Sequence, residues 1–384
     1  MPTSLTKICH VIITLRFLGG AERMLVRLLM ANPEFSDQRM VLVLRHAGEW
    51  GEQLKLAGVT VHELGMQSAL DIPRVFIQLQ QLMREFQPDI VQTWMYHADL
   101  LGGLAAWFSG YKTIIWGIRR TSLSFYDTKA TWLIMKVCAW LSGWLPRKII
   151  CVAEAGRKAH IQSGYNANLM AVISNGFDFD NLTATIEQRN ALRSAYGLLE
   201  DDLVIGCVGR FNSAKGQYNF IKAAALIAVN YPNVRYMLVG LNCHTSNTQL
   251  IAWITKNRLQ GSFILLGERT DIPICLAAMD IFCMPSRTEG FPNALGEAMA
   301  MGLPCVATDV GDTKILVGDT AALVPAQDEL SLAHALIGLI TMTKEQRFQM
   351  GEKARDHVLA EFSIEKACER YSAVYQQITS GSDF

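Results

Sequence analysis

The chain carries no surplus of charge: across 384 residues, 35 Lys and Arg stand against 35 Asp and Glu. That balance disfavours a nucleic-acid binder, which is usually basic. No Cys-x-x-Cys pair occurs among the nine cysteines, which stand singly at positions such as Cys9, Cys207 and Cys305. The odd number and scattered spacing argue against disulfides or a zinc site, and for buried thiols in a reducing cytoplasm. The first residues lack the basic, apolar and small-residue succession of a signal peptide. The phosphate loop Gly-x-x-x-x-Gly-Lys-Ser/Thr is missing, as is the dinucleotide fingerprint Gly-x-Gly-x-x-Gly. There is no short internal repeat. No pair of carboxylates can be placed across a glycosidic bond, so hydrolysis by two acids is disfavoured.

What the chain has is alternation. Short apolar runs at 7–14, 40–44, 59–63, 90–93, 113–116, 148–152 and 170–173 read as buried strands. Amphipathic stretches such as Ile72–Phe86 separate them. After a polar, turn-rich passage from Ser174 to Asn181 the alternation resumes, with strands at 203–208, 234–239, 263–266, 280–284, 305–308 and 321–323. Strands alternating with helices imply an α/β fold with parallel sheets. The boundaries read as 1–175, 176–363 and a last helix within 364–384. The length is comfortable for two cores.

Two stretches carry the chemistry. The first is Ser286-Arg-Thr-Glu-Gly-Phe-Pro-Asn-Ala-Leu-Gly-Glu-Ala-Met-Ala-Met-Gly302, which follows a strand and opens a helix. Pro292 suits the first helical position and Gly302 the stop. The free N–H groups of a helix start favour a phosphate, so Gly290, Phe291, Asn293, Ala294 and Leu295 form a candidate anion cradle. Glu289 and Glu297 repel phosphate but accept hydrogen bonds, which suits sugar hydroxyls on either side of a diphosphate. The second stretch is Gly209-Arg210…Lys215-Gly216, at the end of a strand. Arg210 can fork onto two phosphate oxygens, and Lys215 supplies a point charge.

With the N-terminal Leu18-Gly-Gly-Ala-Glu22 and the hinge-like Ser174-Asn-Gly176, these stretches resemble the retaining glycosyltransferases of family GT4. The resemblance implies the GT-B fold: two Rossmann-like domains with parallel sheets facing an interdomain cleft. It implies an N-terminal acceptor-binding domain and a C-terminal nucleotide-sugar-binding domain, with the last helix crossing back to the first. Arg210, Lys215 and the helix start would stabilise the leaving diphosphate, Glu289 would hold the donor sugar and Glu297 the ribose. Gly19 and Gly20 would let backbone approach the donor, and Glu268-Arg269 matches the family's base-binding position. His97, after the strand at 90–93, is the candidate acid or base, although the family's histidine stands closer to the strand, about where Trp94 is. Asp99 is the alternative, with helix capping as its structural reading.

No cofactor is expected. Asp178-Phe-Asp180 spells the metal motif of the other glycosyltransferase fold, but it falls in the turn between domains and is read as chance, so no metal is expected either.

Residues 101–150 hold seven Lys and Arg and one acid, a net of +6. Within them, 130–146 is apolar with Trp132, Trp140 and Trp144. It is short for a membrane span, and a peripheral contact with anionic lipid on the inner face of a membrane is the expectation, beside a buried helix. The favoured activity is transfer from a UDP-sugar to a lipid-linked glycan in surface polysaccharide or lipopolysaccharide biosynthesis. The alternatives are a soluble-acceptor transferase or synthase, and a non-catalytic sugar-nucleotide-binding partner.

Overall fold

The computed structural model describes residues 6–16, 19–32, 38–121 and 128–380. The chain forms two compact units. One extends to Gly176 and resumes at Ile364; the other is Phe177–Ser363.

The strands of the first unit are β1 (Ile8–Ile12), β2 (Arg39–Val43), β3 (Thr60–Glu63), β4 (Ile90–Trp94), β5 (Ile114–Ile118), β6 (Lys148–Cys151) and β7 (Met170–Val172). They pair in parallel in the order β3-β2-β1-β4-β5-β6-β7. The strands of the second unit are β8 (Val204–Val208), β9 (Arg235–Val239), β10 (Phe263–Gly267), β11 (Ile281–Met284), β12 (Cys305–Thr308) and β13 (Ala322–Val324). Their order is β10-β9-β8-β11-β12-β13, again parallel. In each sheet the winding reverses once, between β1 and β4 and between β8 and β11. Open α/β sheets bind ligands at the carboxyl ends of the strands flanking such a switch point.

Period-two alternation places the core. Cys9 and Val11 of β1 join one cluster with Val75, Leu79 and Met83 of the helix Ile72–Phe86. Ile8 and Ile12 point the other way, into a cluster with Met24, Leu25, Tyr371 and Tyr375. Tyr371 and Tyr375 belong to the last helix, Ile364–Thr379, which therefore closes the first unit's core. Tyr371 stacks on Trp94 with ring centroids 6.2 Å apart, and the Arg119 guanidinium donates to the Tyr371 hydroxyl at 3.0 Å. Burying side chains of this size stabilises by about 1.5–3 kcal/mol each.

All nine cysteines are buried free thiols. The apolar stretch at 130–146 forms the helix Lys129–Leu141. Among the described residues no helix is long and apolar enough to cross a membrane.

Candidate active site

In the second unit two loops meet at the β8/β11 switch point. After β8 the chain runs through Gly209 and Arg210 into a short 3-10 turn, Ser213–Lys215, where the Asn212 side chain accepts from the Lys215 N–H at 3.0 Å. Gly216 follows with φ +67°, and a Cβ there would lie 2.0 Å from the Pro285 carbonyl oxygen. Only glycine allows backbone to approach backbone so closely. The contact draws the loop after β11 onto the loop after β8, reinforced by the Arg287 N–H donating to Ala214 O at 2.7 Å.

That approach places Lys215 Nζ 2.7 Å from Glu289 Oε1, and the Ser286 hydroxyl donates to the same oxygen at 2.6 Å. Glu289 is held from behind as well. Gly311 has φ +58°, and a Cβ there would lie 2.2 Å from Glu289 O; the Asp312 N–H donates to Gly290 O at 3.0 Å. Arg210 is exposed, and its guanidinium has no partner among the described residues. An exposed guanidinium and an ammonium bound to a carboxylate thus stand at one strand end.

The helix Asn293–Ala300 corrects two expectations. Pro292, at φ −83° and ψ 84°, is its cap and not its first helical residue. Two of the expected donors are turned back into the chain: the Asn293 N–H bonds Phe291 O at 3.1 Å, and the Leu295 N–H bonds Pro292 O at 3.1 Å. The amides of Phe291 and Ala294 remain as candidate anion donors. Glu297, one turn in, is only 3% exposed. Gly296 lies against the Phe177 ring, where a Cβ would come within 2.2 Å, so only glycine leaves room for the ring to pack on this helix.

Beyond β10, Glu268 is exposed, while Arg269 forks onto Asp271 at 2.8 and 2.6 Å. Its guanidinium is committed within its own loop. Asp178 accepts from the Asn181 side chain at 2.6 Å.

The β1/β4 switch point belongs to the first unit. Gly19 caps the helix Gly20–Met30 without a side-chain bond; Leu18 lies outside the described residues. After β4 the chain turns through Met95, whose φ of 74° is strained for a residue with a side chain. His97 follows in the first turn of the helix Tyr96–Phe108, half-buried. Burial and the Arg45 charge hold its imidazole below the usual range, which favours the neutral form. Trp94 is fully buried and donates from its indole to His10 Nδ1 at 3.3 Å.

Asp99 is neither exposed nor a cap. It lies inside the helix, accepts from the Thr93 hydroxyl at 2.6 Å, and leaves Oδ2 without a hydrogen bond. Burial pushes its carboxyl up to about 7, against the pull of that hydroxyl. The folded chain therefore keeps a proton between about pH 4 and pH 7 that the unfolded chain releases, so this group lowers stability as pH rises through that window. Asp99→Asn should remove the effect. From pH 4 to pH 8 the stability of the variant relative to the parent should rise by up to about 4 kcal/mol in denaturant titrations; a constant difference would contradict it.

Arg119 escaped the sequence reading. It is buried and donates to Ile173 O, Tyr371 and Asn175. An Arg-Arg pair directly after a strand was the available signal. Ser286, the third partner of the Lys215–Glu289 pair, gave none beyond its place at a strand end.

Two Rossmann-like units, each built on a parallel sheet with one reversal of winding, are the architecture of the GT-B class. The signature "Glycosyltransferase Family 4" matches residues 18–181, and "Glycosyl transferases group 1" matches 202–342. Together the two signatures span most of the chain, and the chain belongs to the family 4 glycosyltransferases. An Escherichia coli UDP-Gal:alpha-D-GlcNAc-diphosphoundecaprenol alpha-1,3-galactosyltransferase is 27% identical over 304 residues, 78% of each chain. A Bacillus anthracis N-acetyl-alpha-D-glucosaminyl L-malate synthase is 29% identical over 190 residues, 49% of each chain. Among solved structures, HepE of Anabaena in complex with UDP shares the fold with TM-score 0.83 and 23% identity, over 97% of this chain and 100% of that one.

Proposed function

We propose that the chain moves a hexose or N-acetylhexosamine from a nucleoside diphosphate, UDP before others, to a glycan carried on a lipid, for a surface polysaccharide or lipopolysaccharide. The observation that carries this reading is the Lys215–Glu289 pair beside the free Arg210 at the β8/β11 switch point. The second unit is assigned the donor. Arg210, Lys215 and the amides of Gly290, Phe291 and Ala294 offset the diphosphate charge. Glu289 holds the transferred sugar, Glu297 the ribose, and the backbone at Glu268-Arg269 the base. The first unit is assigned the acceptor, with His97 as its candidate acid or base, and Gly19 and Gly20 are assigned to the donor.

In the step itself the bond from the anomeric carbon to the diphosphate oxygen breaks. The acceptor hydroxyl oxygen joins the same face, and its proton passes to the departing phosphate. Retention follows from that geometry and is the habit of the family. Charge grows on the leaving oxygen, where Lys215 and Arg210 stand, and opposite charge grows on the sugar ring beside Glu289.

A lipid-borne acceptor is supported by the name of the E. coli relative and by the net +6 over residues 101–150, which suits peripheral contact with an anionic membrane on its cytoplasmic face. A soluble acceptor is the second reading, favoured by the N-acetyl-alpha-D-glucosaminyl L-malate synthase relative. Thermal-shift titration with UDP, GDP and ADP tests the donor; the expected result is the largest shift with UDP. Since Arg210 and Lys215 already supply the cations, excess chelator should leave the UDP shift and the turnover unchanged. Loss of both, restored by magnesium or manganese, would contradict the metal-free mechanism.

A further inference from the structure

We propose that a surface cleft at the amino-terminal edge of the first unit's sheet holds the phosphate headgroup of an anionic membrane phospholipid. The inference rests on the reading that this unit touches a membrane, and it names where. The cleft has a volume of about 530 Å³ and lies where the chain enters β5, β6 and β7. Trp107 and Trp144 form one wall, packed edge to face with centroids 5.4 Å apart. Lys112 and Arg147 bring two cations. The Lys112 ammonium sits 3.3 Å from the centre of the Trp107 ring and donates to Trp107 O at 3.3 Å. These two contacts hold the ammonium at the cleft wall. Arg147 is exposed, and its guanidinium has no partner among the described residues. Between Leu100 and Ala153 the sequence contains one acid, Asp127, which lies outside the described residues. An anion in the cleft meets two cations and, among the described residues of that segment, no carboxylate.

The rim distinguishes a lipid from a free anion. Trp140 packs on Trp144 at 6.3 Å and is 73% exposed; Trp144 itself is 46% exposed. From there the outer face of the helix Lys129–Leu141 continues as Lys136, Leu133 and Trp132, all exposed, at three- and four-residue spacing. Exposed indoles beside lysines fit the boundary between headgroups and acyl chains, and a lone phosphate in water makes no use of them. The helix follows β5 and precedes β6, so it runs back from the carboxyl edge of the sheet to the amino edge. The cleft lies at the amino edge, a strand's length of roughly 17 Å from the carboxyl edge that carries Gly19 and His97. Its lipid is an anchor, separate from the acceptor.

The test compares two double variants that remove the same charge from exposed positions: Lys112→Gln with Arg147→Gln, in the cleft, and Lys129→Gln with Lys136→Gln, on the helix. Both are floated with vesicles of phosphatidylglycerol and phosphatidylcholine in roughly equal amounts at low salt, and UDP binding is recorded to show that each is folded. Loss of the cleft pair should weaken vesicle binding about 30-fold, and loss of the helix pair should weaken it roughly three-fold less. Equal losses would reduce the surface to diffuse attraction and overturn the pocket while leaving the membrane reading intact. Failure of the unaltered protein to float would overturn the membrane reading, and the pocket with it. Tryptophan fluorescence supplies a second arm: monomeric short-chain phosphatidylglycerol should perturb it at concentrations where inorganic phosphate does not. An equal response to phosphate would make this an anion site only and overturn the lipid assignment.

Discussion

Lys215→Ala should lower kcat/KM about 10³-fold, the largest effect expected of any single substitution in the chain. Two losses combine. The leaving diphosphate loses a cation that is already in place, and that stabilisation counts most as the bond breaks. Glu289 also loses the ammonium 2.7 Å from its Oε1, while the Ser286 hydroxyl still donates to that oxygen. Lys215 is bound to Glu289, so a donor phosphate would share the ammonium with that carboxylate. A guanidinium is planar and bulkier, so Lys215→Arg should recover charge without the geometry and restore only part of the rate. Steady-state kinetics of the three forms decide the matter, and turnover of Lys215→Ala within ten-fold of the parent would contradict it.

Glu289→Gln should lower kcat about 10²-fold or more with little change in nucleotide affinity, whereas Glu297→Ala should mainly weaken the nucleotide, by about 1.5–3 kcal/mol. The two carboxylates differ in place. Glu289 lies in the loop, tied to Lys215 and clamped from behind by Gly311, where a sugar ring would meet the diphosphate. Its charge faces the positive charge that develops on that ring. Glu297 lies one turn inside the helix Asn293–Ala300 and is almost fully buried, so it grips a ribose equally in ground and transition states. Calorimetric titration of free nucleotide, set beside kinetics for both variants, separates the roles. A Glu289→Gln protein that binds nucleotide as weakly as Glu297→Ala, or turns over normally, would refute the assignment.

How much of this was legible in the sequence depended on the range of the interaction. The helix Ile72–Phe86 and the strand Cys305–Thr308 form at the bounds their apolar spacing implies, because period and turn residues are local signals. Gly209-Arg210 and Lys215-Gly216 read as a strand end and a helix start, but nothing local shows that Gly216 meets Pro285 from another strand end. Lys215 and Glu289 are 74 residues apart, and only the parallel pairing of β8 with β11 makes them neighbours. Spacing could not show that Lys215, expected to await phosphate, is already paired. The cap geometry at Pro292 was misread for a related reason: proline fits the first helical position and the cap alike, and ψ at that residue, set by tertiary packing, decides between them. Asp99 was legible as a titratable residue beside a strand, but its burial beneath that strand was not.

The central claim is that the loop after β8 and the loop after β11 together hold a nucleoside diphosphate through Lys215. Calorimetric titration of the parent and of Lys215→Ala, each with UDP and with uridine, tests it most directly. The account predicts that UDP binds the parent far more tightly than uridine does, that the substitution weakens UDP by about ten-fold or more, and that uridine binds both forms alike. Equal affinity of the two proteins for UDP would contradict it.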